Sequence, residues 1–108
     1  MAEQLLQVNF GLNVTPGEYH TICQSVADAF AQVPGLRWKL WIVNEQRREA
    51  GGVYLFEDQR ALDAFVASDL AKAVATNPAL KNVTMKSSAV MTDVSAVTRA
   101  PLAAPANV

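Results

Sequence analysis

Hydrophobic and polar positions alternate along residues 4–13. Leu6, Val8, Phe10 and Leu12 fall on one side of an extended chain, and Leu5, Gln7, Asn9 and Gly11 on the other. That period of two predicts a strand with one wholly apolar face. Thr15-Pro16-Gly17 breaks the alternation. Thr15 can cap a helix that has Pro16 at its first position and Glu18 in its first turn, where the helix dipole favours an acid. The spacing then shifts to 3.6: Tyr19, Ile22, Cys23, Val26, Ala29, Phe30 and Val33 make one stripe, ended by Pro34-Gly35. Alternation returns over residues 36–44 and again over 49–56, joined by the polar run Asn44-Glu-Gln-Arg-Arg48, which reads as a β-hairpin. Asp58 is a second cap, followed by Leu62, Phe65, Val66 and Leu70 at helical spacing, with an interruption and a short extra turn at Asn77-Pro78. Residues 82–93 alternate once more. From Ser95 onward the chain is rich in Ala and Pro without periodicity.

The order β-α-β-β-α-β is that of a ferredoxin-like α+β domain, a four-stranded antiparallel sheet with two helices over one face. Residues 1–94 are expected to form it, and residues 95–108 an irregular tail. If residue 40 pairs with about residue 53, one hairpin face collects Trp38, Leu40, Ile42, Gly51, Val53 and Leu55. The other collects Arg37, Lys39, Trp41, Val43, Gly52, Tyr54 and Phe56. The first set is uniformly apolar and is expected under the helices. The second mixes aromatic rings with two bases, a composition typical of interfaces, and is expected to meet a second copy of the chain. Four strands of this length cover on the order of 450 Å², as large as the biggest apolar patches monomers expose.

Composition narrows the partners. The 108 residues are 51% hydrophobic with a net charge of −1, which supplies neither the basic patch needed to grip nucleic acid nor a polybasic membrane anchor. Cys23 is the single cysteine, so no internal disulfide can form. The amino terminus has no basic, apolar leader pattern, and no run approaches a membrane span. A cytoplasmic protein is the expectation. One His and one Cys make no standard zinc site, no P-loop is present, and the Gly51-Gly52 pair lies within a strand rather than after one.

The run Gly35-Leu-Arg-Trp-Lys-Leu-Trp41, followed by Glu49-Ala-Gly-Gly-Val-Tyr-Leu-Phe56, resembles the YdhR-like putative mono-oxygenase family. The Leu5-Leu-Gln-Val8 strand and Asp93-Val94 also fit, so the resemblance covers roughly residues 4–100. It implies a dimeric α+β barrel, in which two ferredoxin-like sheets close on each other. It also implies kinship with cofactor-independent oxygenases of aromatic compounds, and more distantly with haem-degrading enzymes and small isomerases. It brings no established catalytic set.

A homodimeric mono-oxygenase without a cofactor is therefore expected, acting on a small aromatic or quinol-type molecule. An electron-rich phenolate can give an electron to dioxygen itself, so the protein needs only an apolar pocket, a group that stabilises the anion and exclusion of water. Asn9, Arg37 and Tyr54 are the candidate catalytic groups, Asn9 or Arg37 meeting the anion. Trp38, Trp41 and Gly51 are the candidate substrate-binding positions: the indoles as walls, the glycine as the opening beside Trp38. Each also has a plain structural role: core filling for Trp38, dimer packing for Trp41 and Tyr54, rim charges or ion pairs for Arg37, Lys39 and Glu49, and a surface position for His20. The alternative is a non-catalytic dimer that binds a small apolar molecule, favoured by the missing acid–base cluster.

Overall fold

The computed structural model describes residues 2–102. Strand β1 (Gln4–Leu12) leads into helix α1 (Pro16–Ala31). The Thr15 hydroxyl accepts from the Glu18 amide at 3.1 Å, and the Glu18 carboxylate accepts from the Thr15 amide at 2.9 Å. This reciprocal pair satisfies two amides that would otherwise lack partners at the helix start. The carboxyl of Glu18 is held below its ordinary pKa by the backbone and side-chain hydrogen bonds from Thr15. Gly35, at φ 77°, turns the chain into β2 (Leu36–Asn44); a side chain there would run into Ala61. Strand β3 (Glu49–Phe56) returns antiparallel, then come α2 (Gln59–Val66), α3 (Asp69–Thr76), β4 (Leu80–Ala89) and a short α4 (Thr92–Val97).

The sheet order is β2-β3-β1-β4, all pairs antiparallel, which gives the expected ferredoxin-like α+β topology. Three local boundaries differ from expectation. The second helical region breaks at Ala67-Ser68 rather than at Asn77-Pro78, because the Ser68 hydroxyl caps a new helix by accepting from Ala71. Asn77-Pro78 instead ends α3 outright. The last strand stops at Ala89, and residues 92–97 are helical where strand and tail were expected. Residues 103–108 of that expected tail lie outside the described residues.

The hairpin register is as expected, with Leu40 opposite Val53, but the faces are reversed. Residues directly opposite in an antiparallel pair point the same way. On β1 the buried set is Leu6, Val8, Phe10 and Leu12, and Leu6 stands opposite Tyr54, Val8 opposite Gly52 and Phe10 opposite Ala50. Tyr54 in turn faces Lys39, and Gly52 faces Trp41. The mixed aromatic and basic face is thus the one beneath the helices, packed with Phe30, Leu62, Phe65 and Ala71 into a single core. Trp38, Leu40, Ile42 and Val53 lie on the opposite, open face, where Leu40 is 56% and Ile42 40% exposed.

Candidate functional site

The helix-covered face does not fill completely. Opposite Trp41, β3 carries Gly52, and a Cβ there would meet Lys39 Cε at 2.8 Å and Tyr54 Cε1 at 3.1 Å. Gly51 lacks a Cβ for a different reason: one would run into the Val8 carbonyl of β1. Above this glycine floor, α1 presents Tyr19, Ile22, Cys23, Val26 and Phe30, and α3 adds Leu70, Ala73 and Val74. Between them lies a partly open, largely apolar cavity of about 100 Å³ that is also lined by Lys39, Trp41 and Tyr54. An apolar cavity of about 150 Å³ takes up benzene. The enclosed space here is smaller than that, so a ring placed in it would project toward the open side.

Among the described residues, Lys39 is the one charged side chain lining this cavity. Its Nζ sits 3.4 Å from the ring centroid of Trp41, 3.5 Å from that of Phe30 and 4.7 Å from that of Tyr54. No carboxylate among the described residues lines the space. Burial away from water lowers the Lys39 pKa to about 7, opposed only slightly by Cys23. The ring faces attract the ammonium form and work against that burial. The amine is therefore poised between its two protonation states near neutrality. The rings around it are themselves braced: Phe30 meets Trp41 edge-on at 5.2 Å, and Tyr54 packs on Phe65 at 5.2 Å.

Tyr54 is 2% exposed, and among the described residues its hydroxyl has no hydrogen-bond partner. A buried unpaired hydroxyl costs about 1–3 kcal/mol, so a ligand atom that accepts from Tyr54 would be favoured. Desolvation raises the Tyr54 pKa, which keeps the hydroxyl protonated through the physiological range. Tyr19 is raised as well, by burial and by its hydrogen bond with Cys23.

The six candidate positions divide between the two faces. Tyr54 and Trp41 line the cavity with their side chains, while Gly51, opposite Ile42 and Asn9 in the open-face register rather than under the helices as expected, borders it with its backbone. Trp38 lies on the open face, donating its indole N–H to the Pro101 carbonyl at 2.7 Å, so the expected opening beside Trp38 is instead beside Trp41. Arg37 is the residue left over at a bulge in β2, between the Leu36–Phe56 and Trp38–Leu55 pairs, and it reaches the buried carboxylate of Glu3 at 3.5 Å. Asn9 is exposed on the inner strand β1, between Gly51 and Thr84, and shares shallow surface with Ile42 and Val43 and with Arg47 and Arg48. His20 is exposed. Lys39 and Gly52 are what sequence reasoning underweighted. The signal was present: a lone lysine alternating with Leu40 and Trp41, opposite a tyrosine.

Residues 5–101 match the family described as putative mono-oxygenase ydhR. The chain belongs to this family. No curated protein matches it significantly. Among solved structures, the cofactor-independent oxygenase SnoaB from Streptomyces nogalater is similar at TM-score 0.67 and 18% identity, over 84% of this chain and 95% of that one. Protein SO0527 from Shewanella oneidensis reaches TM-score 0.67 at 12% identity, over 82% and 91% of the two chains. The heme-degrader MhuD from Mycobacterium tuberculosis, solved with two hemes in its active site, reaches 0.63 at 18% identity, over 82% and 97%. At these identities the likeness is one of fold. Among the described residues no helix is long and apolar enough to cross a membrane.

Proposed function

We propose that this family member is a homodimeric, cytoplasmic, cofactor-independent mono-oxygenase that oxidises a one-ring phenol or quinol-type compound in the cavity between α1, α3 and the sheet. The observation that carries the reading is the pairing, inside one apolar cavity, of an uncompensated amine at Lys39 with a vacant hydroxyl donor at Tyr54. The neutral Lys39 amine takes the phenolic proton. The resulting ammonium is held by the faces of Phe30, Trp41 and Tyr54 and stays beside the phenolate it has created. The Tyr54 hydroxyl donates to the phenolate oxygen, and the apolar walls keep water from competing for it. For a phenol with a free para C–H the balance closes without an outside reductant. One atom of dioxygen becomes the new quinone carbonyl. The other leaves as water with the phenolic and para hydrogens, and the ring supplies all four electrons.

Within this reading Trp41 is a wall and Gly51 part of the floor. Asn9, Arg37 and Trp38 belong to the open face or its rim and touch the second copy rather than the substrate. The kinship with SnoaB, a cofactor-independent oxygenase, supports the absence of a cofactor. The exposed Leu40 and Ile42 support the dimer.

The test is oxygen uptake by metal- and flavin-free protein with a panel of phenols, quinols and anthrones. Turnover above the uncatalysed rate is expected with one-ring members. Tyr54→Phe is expected to lower it about 10²-fold, the effect of removing one anion donor, and Lys39→Met by at least as much. Binding without any turnover across the panel overturns the reading in favour of a non-catalytic binding module.

A further inference from the structure

The same two side chains suit a second chemistry that needs no oxygen. We infer that Lys39 and Tyr54 form a carbonyl-capturing site, in which a small apolar aldehyde condenses with the Lys39 amine to an imine while the Tyr54 hydroxyl holds its oxygen. Three features of the geometry carry this. The Lys39 Nζ lines the cavity with no carboxylate beside it, so no ion pair holds it as an ammonium. The groups that face it and can titrate are Tyr19 and Cys23 from α1 and Tyr54 from β3. On the α3 side there are only Leu70, Ala73, Val74 and the Asn77 that follows the helix. The second feature is the buried Tyr54 hydroxyl, unpartnered among the described residues and therefore free to donate to a carbonyl oxygen. The third is the ring enclosure around Nζ, which limits the water that can reach an imine.

The step balances simply. The amine lone pair adds to the carbonyl carbon and the C=O π bond opens toward the Tyr54 donor. The carbonyl oxygen then leaves as water with the two amine hydrogens, and a C=N bond remains. A lowered lysine pKa is the property that makes such an amine nucleophilic near neutrality, and Lys39 has it. An ordinary lysine near 10.4 is neutral in roughly one molecule in 2,500 at pH 7.

The experiment uses the full chain with benzaldehyde and cyanoborohydride at pH 7 under nitrogen, followed by peptide mass mapping. A benzyl adduct is expected on Lys39 at least about tenfold ahead of the exposed Lys72, Lys81 and Lys86. Lys39→Arg is expected to abolish the fast adduct. Tyr54→Phe, checked for a native circular dichroism spectrum, is expected to slow it about tenfold while leaving the exposed lysines unchanged. Labelling spread over the exposed lysines with Lys39 spared overturns the proposal, and so does a Tyr54→Phe variant that labels Lys39 at the wild-type rate. Because dioxygen is excluded, this outcome is independent of whether the protein proves to be an oxygenase.

Discussion

Lys39 places a charge where folding has to tolerate it, and that has a thermodynamic signature. Its pKa near 7 in the folded protein lies below the ~10.4 of an exposed lysine. Between those two values the unfolded chain binds more protons than the folded one, so Lys39 makes stability rise with pH across that window. Below pH 7 the amine is charged in both states and its burial cost is felt in full. Three aromatic faces and partial exposure reduce that cost to on the order of 2 kcal/mol. Lys39→Met keeps the volume and removes the charge. The variant is expected to exceed the wild type by about that amount at pH 6 in urea denaturation, with the gap shrinking steadily toward pH 10. A gap that does not change with pH contradicts the burial of the amine. Gly51 and Gly52 separate by the same kind of reasoning. Gly51→Ala drives a methyl into the Val8 backbone, which cannot yield without disturbing β1, and is expected to cost about 2–4 kcal/mol. Gly52→Ala meets only the flexible end of Lys39 and the edge of Tyr54. It is expected to fold, with thermal midpoints separating the two variants, and to push Lys39 out of its cage so that its pKa, followed by NMR of the Lys39 side chain, moves back toward the exposed value.

At the scale of elements, the strands, α1 and the start of α2 were legible because their signals are local, whereas the helix at residues 92–97 was not. Thr15-Pro16 and Asp58 announce their helices through cap chemistry, and Asp58 does accept from the Ala61 amide at 2.8 Å. The hairpin register followed from its two alternating runs and the polar turn between them. Sidedness was not legible in the hairpin by itself. Both of its faces are apolar enough to be buried, and a strand flanked on both sides leaves the choice to its other neighbour. The deciding fact is the β1–β3 register, Leu6 opposite Tyr54 and Val8 opposite Gly52, which joins the apolar face of β1 to the Lys39–Trp41 face. Had β1 slipped by one residue, the helices would cover Trp38 and Leu40 instead. The Ala67-Ser68 break was missed for the opposite reason: a lone serine in a helical pattern carries little signal until its hydroxyl is seen accepting from Ala71 and donating to Phe65. Ser68→Ala removes that cap, and a loss of about 1 kcal/mol is expected in chemical denaturation. Leu70 and Val74 line the cavity from α3, so the same variant is also expected to loosen that wall and speed hydrogen exchange in α3 before any other helix.

For the whole molecule, the consequence of the reversed faces is that the cavity and the open face lie on opposite sides of one sheet. Leu40 and Ile42 stand exposed beside Trp38, while Leu55 on the same face is only 1% exposed. The Trp38–Pro101 hydrogen bond shows the segment after α4 reaching across that face, so part of it is covered by the chain itself and the β2 side is left bare. An apolar strip of that kind along an edge strand, rather than scattered singly, marks an association surface. If two copies meet there, a charge introduced at Leu40 is left unpaired in a dry interface. Leu40→Asp is therefore expected to convert a dimer to a monomer in sedimentation at micromolar concentration. The described residues of α1, α3 and the sheet line the cavity by themselves, so the monomeric variant is expected to retain aldehyde labelling at Lys39. Loss of both properties together would mean that the second copy braces β2 from behind, holding Lys39 against Trp41 and Phe30 through the strand they share. A wild-type chain that sediments as a monomer would instead leave the Leu40–Ile42 strip without a role and remove the dimer from the proposal, while the chemistry of Lys39 and Tyr54 stands on its own side of the sheet.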